Sequence, residues 1–103
     1  MEKFAALAEP NRRKLLEMIA NNGDMPVSAI NQHFSISAPA ISQHLKVLRE
    51  AGLVQMQKKA QQRIYSIQPD GLEEVWEWLN DMRQFWQKRL DKLESQLNID
   101  LSE

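Results

Sequence analysis

Ser37-Ala38-Pro39-Ala40-Ile41-Ser42-Gln43-His44-Leu45-Lys46-Val47-Leu48-Arg49-Glu50-Ala51-Gly52-Leu53-Val54 reads as one capped helix that stops at a glycine and runs into a strand. Ser37 is a good N-cap, because its hydroxyl oxygen accepts from an amide two or three residues on. Pro39 is tolerated in the first turn, where a missing N–H costs nothing. Ile41, Leu45 and Leu48 make an inward stripe, and Gly52 supplies the left-handed residue that ends a helix. Ala38, Pro39, Ser42, Gln43 and Lys46 remain on the outer side, with the Ser37 hydroxyl at the cap. A helix entering the major groove of DNA needs an outer face of this kind over its first two turns.

Working outward, a short amphipathic opening spans Lys3 to Leu7, with Phe4 and Leu7 on one side. Pro10 starts a second helix, in which Leu15, Leu16, Ile19 and Ala20 recur at helical spacing, and Asn21-Asn22-Gly23-Asp24 ends it. Pro26 is expected to open a third helix with Val27, Ile30 and Phe34 as its apolar stripe. After the quoted helix, Leu53 to Lys59 and Arg63 to Gln68 alternate as two strands about a polar turn, Ala60-Gln61-Gln62. Pro69-Asp70-Gly71 breaks the chain. A long helix is then expected over residues 70–97. Leu72, Leu79, Trp86 and Leu93 fall every seven residues along it, joined by Val75, Trp76, Met82 and Leu90. A heptad seam of this kind wants another helix. The fold class is therefore mainly α: a winged helix-turn-helix with a two-stranded β-hairpin wing and a long C-terminal dimerisation helix, in one domain over residues 1–103.

Composition excludes several classes. With 103 residues, 43% hydrophobic and 26% charged, the chain is one soluble globular domain's worth. No apolar run approaches the ~18 residues of a membrane span, and the start does not lead into a secretory signal. There is no cysteine, so no disulfide, thiolate metal site or thiol nucleophile is expected. A cytoplasmic location fits. Net charge is −1 but unevenly spread: residues 1–36 are neutral, residues 37–63 carry +4, and residues 64–103 carry −5. A basic middle beside an acidic tail can aim one face at a polyanion.

For chemistry, Gln43 suits a bidentate contact to adenine, Ser42 a base edge or phosphate, and Ala38 and Pro39 a thymine methyl. Lys46 and Arg49 suit phosphates. Lys58, Lys59, Gln61 and Arg63 gather near the hairpin tip, where they follow a DNA backbone or, equally, protect an edge strand from aggregation. Arg12 and Arg13 open the second helix, where positive charge opposes the helix dipole; a phosphate would relieve that, and plain solvation is the other reading. The alternative for the quoted helix is the polar outer face of an ordinary amphipathic helix, but the helix before it and the hairpin after it favour DNA. His33 and His44 lie eleven residues apart without clustered carboxylates, which makes ordinary hydrogen-bonded histidines and no metal site. No triad or glycine-rich phosphate loop occurs, so no enzyme and no cofactor is expected. Trp76, Trp78 and Trp86 read as core or interface, or alternatively as a pocket for a small apolar inducer.

Three segments resemble the ArsR/SmtB-type winged-helix repressors of bacteria: Leu7-Ala8-Glu9-Pro10-Asn11-Arg12-Arg13-Lys14-Leu15-Leu16, then Ser37 to Val54 as quoted, then Arg63-Ile64-Tyr65. The resemblance covers roughly residues 4–97. It implies a homodimer joined through the first and last helices, bound to a palindromic double-stranded operator and blocking transcription. Ser37, Ala38, Pro39, Ser42 and Gln43 match that family's base-reading positions, and Arg63 its wing arginine. Many such repressors sense metals through cysteines at the recognition helix, or through histidines and acids on the last helix. Here there is no cysteine and no histidine after His44, so the chain looks like a metal-independent member. The competing function class is a protein-interaction module that uses the long helix as its contact.

Overall fold

The computed structural model describes residues 2–101, with side chains described as far as residue 97. Among the described residues, five helices and three strands follow in the order α1 (Lys3–Leu7), α2 (Pro10–Asn22), β1 (Met25–Pro26), α3 (Val27–Gln32), α4 (Ala38–Glu50), β2 (Val54–Lys59), β3 (Gln62–Ile67) and α5 (Glu73–Leu101). The chain forms two compact units, one ending at Leu72 and one beginning at Glu73. The fold is a winged helix-turn-helix with a long C-terminal helix.

The caps explain the helix boundaries. Glu9 is the N-cap of α2, its carboxylate accepting from the Arg12 amide, and Pro10 follows at a position that lacks nothing by having no N–H. Gly23, at φ 76°, ends α2. Ser37 caps α4 by accepting from the Ala40 amide at 3.3 Å. Gly52, at φ 78°, turns the chain out of α4, and the Leu53 amide donates back to the Leu48 carbonyl at 3.0 Å.

The inward stripes meet in one core. Leu15 and Ile19 of α2, Ile30 of α3 and Ile41, Leu45 and Leu48 of α4 are fully buried, with Leu53, Val54 and Tyr65 closing the sheet side. Burying each such side chain stabilises the fold by about 1.5–3 kcal/mol before the entropy of ordering it. This core holds α4 by one face and leaves its opposite face to solvent.

Three expectations are corrected. The wing is not a free two-stranded hairpin: Met25–Pro26 pair antiparallel with β3, giving a three-stranded sheet of order β1-β3-β2. Pro26 ends this strand and stands at the N-cap of α3, so it opens that helix as expected. Pro is acceptable there because an edge strand does not need its N–H. Phe34 lies beyond the end of α3 and packs on the core from the connector. The long helix begins at Glu73, not at residue 70. Residues 69–72 form a turn closed by the Gly71 amide donating to the Gln68 carbonyl at 2.9 Å, so Leu72 precedes the helix.

Candidate nucleic-acid interface

The outer face of α4 is organised by its inner face. With Ile41, Leu45 and Leu48 at zero exposure, the helical repeat turns Ser37, Ala38, Pro39, Ser42, Gln43, Lys46 and Arg49 outward, and all seven are exposed. Small side chains at Ala38, Pro39 and Ser42 let the first two turns approach a surface closely. Gln43 projects a planar donor–acceptor pair from the middle of this face, and Lys46 lies one turn further on.

The wing adds a second exposed cationic group. Register pairs Lys58 with Arg63 and Lys59 with Gln62 directly across the β2–β3 ladder. Lys58 and Arg63 share the sheet face of Met56 and Tyr65, since direct partners in an antiparallel pair project to the same side. Two cations opposite one another repel, a cost that a polyanion between them would remove. The two-residue turn between the strands places Ala60 at φ 55°, a left-handed conformation unusual for a residue with a Cβ. A recess of about 310 Å³ lies beside the tip, lined by Pro26, Val27, Ser28, Gln61, Gln62 and Arg63.

Arg12 and Arg13 both reach back to the end of α1. Arg12 Nε donates to the Ala6 carbonyl at 2.6 Å and Nη2 to the Ala5 carbonyl at 3.4 Å. Arg13 Nη1 donates to the carbonyls of Leu7 at 2.7 Å and Ala8 at 3.1 Å. At the end of α1 the Ala5 carbonyl also accepts from the capping Ala8 amide at 3.2 Å, and the C-terminal end of a helix attracts cations. The arginines are at the wrong end of α2 for its own dipole because they serve the right end of α1.

His44 joins this cluster from α4. Its Nδ1 is 3.4 Å from Arg12 Nη1, and its Nε2 is 3.8 Å from Glu9 Oε2. Glu9 in turn accepts from the Arg12 amide at 3.0 Å and from Asn11 Nδ2 at 3.4 Å. The only sequence signals were an acid before Pro10 and a histidine between the buried and outer faces of α4, and neither names a partner 32 residues away.

On α5, Trp76 is 65% exposed, and Leu79, Trp86, Leu90, Leu93 and Leu97 are each about half exposed. Val75 is buried and Met82 partly so. Phe85 packs edge-on to Trp86 at 5.8 Å, with the Arg89 guanidinium 5.2 Å from the Phe85 ring centre. Phe4 and Leu7 of α1 are half-buried. Among the described residues no three His, Cys, Asp or Glu side chains gather into a metal-binding set, and no helix is long and apolar enough to cross a membrane.

Residues 9–56 match the family described as bacterial regulatory protein, arsR family. The transcriptional repressor SdpR of Bacillus subtilis is 37% identical over 76 residues, covering 74% of this chain and 83% of that one. The HTH-type transcriptional regulator Rv2034 of Mycobacterium tuberculosis is 36% identical over 87 residues, covering 84% and 78%. A crystal structure described as a possible transcriptional regulator for arsenical resistance superposes with a TM-score of 0.74 at 37% identity, over 92% of this chain and 95% of that one.

Proposed function

The chain belongs to the arsR family of bacterial regulatory proteins and is a DNA-binding transcriptional regulator, not an enzyme; from that premise we propose that it works as a homodimeric, metal-independent repressor reading a palindromic operator through α4. The observation that carries this reading is the two-sidedness of α4. Its aliphatic stripe is sealed in the core, while Ser37, Ala38, Pro39, Ser42 and Gln43 stand exposed over its first two turns.

Roles divide by chemistry. Ser42 and Gln43 read base edges, and Ala38 and Pro39 allow close approach and meet thymine methyls. Ser37, Lys46, Arg49, Lys58, Lys59, Gln61 and Arg63 hold the backbone and set the register. Arg12 is left out of this surface, because its guanidinium already serves the carbonyls of α1.

The homodimer rests on α5. Its exposed Trp76, Leu79, Trp86, Leu90 and Leu93 make an apolar stripe on a helix that carries charge elsewhere. From residue 76 to 97 the stripe runs about 32 Å at the helical rise. A stripe this long is more than a soluble monomer ordinarily leaves uncovered, and a second copy covers it symmetrically. Phe4 and Leu7 of α1 are the interface residues that the family resemblance implies within the first unit. The three tryptophans are each at least half exposed, which favours a covering macromolecule over an enclosed pocket for a small apolar inducer. Two recognition helices about 34 Å apart would meet successive major grooves on one side of the duplex. Binding chromosomal DNA places the protein in the cytoplasm.

Selection of bound DNA from a random pool, followed by anisotropy titration of wild type and Gln43→Ala, tests the reading. Gln43→Ala is expected to weaken the selected site by about fivefold or more, a loss of about 1–3 kcal/mol, and to relax preference at one or two base pairs. Equal loss on selected and random DNA would refute base reading by Gln43.

A further inference from the structure

We infer that His44 is a positioning residue for the recognition helix, tying α4 to the α1–α2 corner through Arg12, and that it does so only as the neutral imidazole. The inference rests on the reading of α4 as the DNA-reading helix.

The argument begins with hydrogen-bond direction. A guanidinium only donates, so the 3.4 Å contact between Arg12 Nη1 and His44 Nδ1 requires Nδ1 to accept. The ring proton then sits on Nε2, the atom facing the Glu9 carboxylate at 3.8 Å. Arg12 continues the chain through its Nε and Nη2 donations to the Ala6 and Ala5 carbonyls. One guanidinium therefore connects the C-terminal end of α1 to the side of α4, while Glu9 caps α2 beneath it.

His44 lies one residue from Gln43 and two from Ser42, on the flank between the exposed reading face and the buried stripe. The core fixes α4 against translation through Ile41, Leu45 and Leu48. The same buried stripe sets which face of α4 turns outward, and a directional hydrogen bond on the flank adds a restraint on the small rotations that packing still allows. Rotation is the motion that base reading cannot tolerate, because it sweeps Ser42 and Gln43 across the groove.

Protonation reverses the arrangement. Histidine changes charge between about pH 5 and 8. A proton on Nδ1 sets two donors against each other and adds like charge at the Arg12 contact. The charged groups in contact with the His44 ring nitrogens are Arg12 at Nδ1 and Glu9 at Nε2. Its helical neighbours Ala40, Ile41, Val47 and Leu48 carry no charge, and α1 offers main-chain carbonyls through Arg12. Attraction to Glu9 at 3.8 Å and repulsion from Arg12 at 3.4 Å act over similar distances with opposite sign. What separates the two forms is the Nδ1 hydrogen bond, present with the neutral ring and lost with the protonated one.

The readout is the ratio of specific to non-specific affinity, because an added positive charge raises both while a turned helix lowers only the first. Anisotropy titration of the selected site and of random duplex, from pH 8 to pH 5.5 at fixed salt, is expected to show this ratio falling about fivefold or more on acidification, the size of one net hydrogen bond. His44→Asn places an amide oxygen near the position of Nδ1; its ratio is expected to stay near the wild-type value at pH 8 and to be flat with pH. His44→Leu is expected to lower the ratio at every pH. His33→Asn, at the C-cap of α3, is expected to keep the wild-type profile. Imidazole nitrogen shifts of His44 at pH 8 are expected to report the Nε2–H form. A flat wild-type ratio, a wild-type slope retained in His44→Asn, or an Nδ1–H ring would each overturn the inference, and the first and third need no variant to fold. Absence of any specific binding at pH 8 would instead overturn the reading of α4 itself.

Discussion

Gly71→Ala tests how tightly the end of the recognition helix is packed. Gly71 lies in the turn that follows β3, and a Cβ added there would fall under 3.0 Å from the Gly52 carbonyl oxygen, 3.1 Å from the Gln68 carbonyl oxygen and 3.2 Å from Leu53 Cα. All three neighbours are main chain, so no flexible side chain can move aside. The Gly52 oxygen is also constrained, because the Gly52 and Leu53 amides donate to Arg49 and Leu48 in closing α4. Overpacking costs about 1–3 kcal/mol, and main-chain obstruction on three sides places this site in the upper half, about 2–3 kcal/mol. Alanine loses less freedom on folding than glycine, which returns about 0.4–1 kcal/mol. The net loss is about 1–2.5 kcal/mol, which lowers the melting temperature of a domain of this size by about 4–20 °C. Circular dichroism melts at one fixed protein concentration measure it. Gly52→Ala is the comparison: its Cβ would meet only Lys3 Cε at 3.9 Å, so its cost is the left-handed φ of 78° alone, about 1–2 kcal/mol. An unchanged or raised melting temperature for Gly71→Ala would refute the claim that the turn and the end of α4 are locked together.

Four further outcomes are expected. Ser37→Ala removes the α4 cap, a loss of about 0.5–1 kcal/mol given the long 3.3 Å bond, seen as a drop of about 2–8 °C in the same melts. Ala60→Gly relieves the left-handed residue of the wing turn and is expected to raise stability by about 0.5–1 kcal/mol in urea titration; a fall would mean that alanine is unstrained there. Arg63→Ala is expected to weaken selected and random DNA alike. The slope of log affinity against log salt should shrink by about 0.9 per lost phosphate contact, and an unchanged slope would exclude that contact. Leu90→Glu puts a carboxylate into the α5 stripe twice per symmetric dimer and is expected to raise the dimer dissociation constant by about two orders of magnitude in sedimentation velocity. A dimer of wild-type strength would remove α5 from the interface.

The elements that chemistry marks locally were legible in the sequence. Pro10 opens α2, Ser37 caps α4, Gly52 ends it, and the Ile41-Leu45-Leu48 stripe points inward. Each is a property of adjacent residues and the helical repeat, so it requires no knowledge of what lies opposite. α5 starts three residues after the point that the apolar register marks, because Leu72 keeps that register through a turn that the Gly71–Gln68 hydrogen bond closes. Periodicity records which side chains are apolar, not whether the backbone between them is helical. β1 was missed because two residues, one a proline, have no period; they become a strand only because the edge of β3 is there to pair with.

For the site, the sequence alone determined the outward residues of α4 and the cations of the wing, since exposure follows from the burial of the opposite stripe and from the alternation of a strand. Tertiary structure alone decided the use of Arg12, Arg13 and His44. Read locally, the arginines were cations at an unfavourable helix end. In three dimensions they complete the carbonyls of α1, and Arg12 meets a ring nitrogen 32 residues away. The physical reason is the range of the interaction. Burial and capping are settled within a turn or two of the chain, whereas a hydrogen bond between side chains of different helices exists only once packing has brought the two helices side by side.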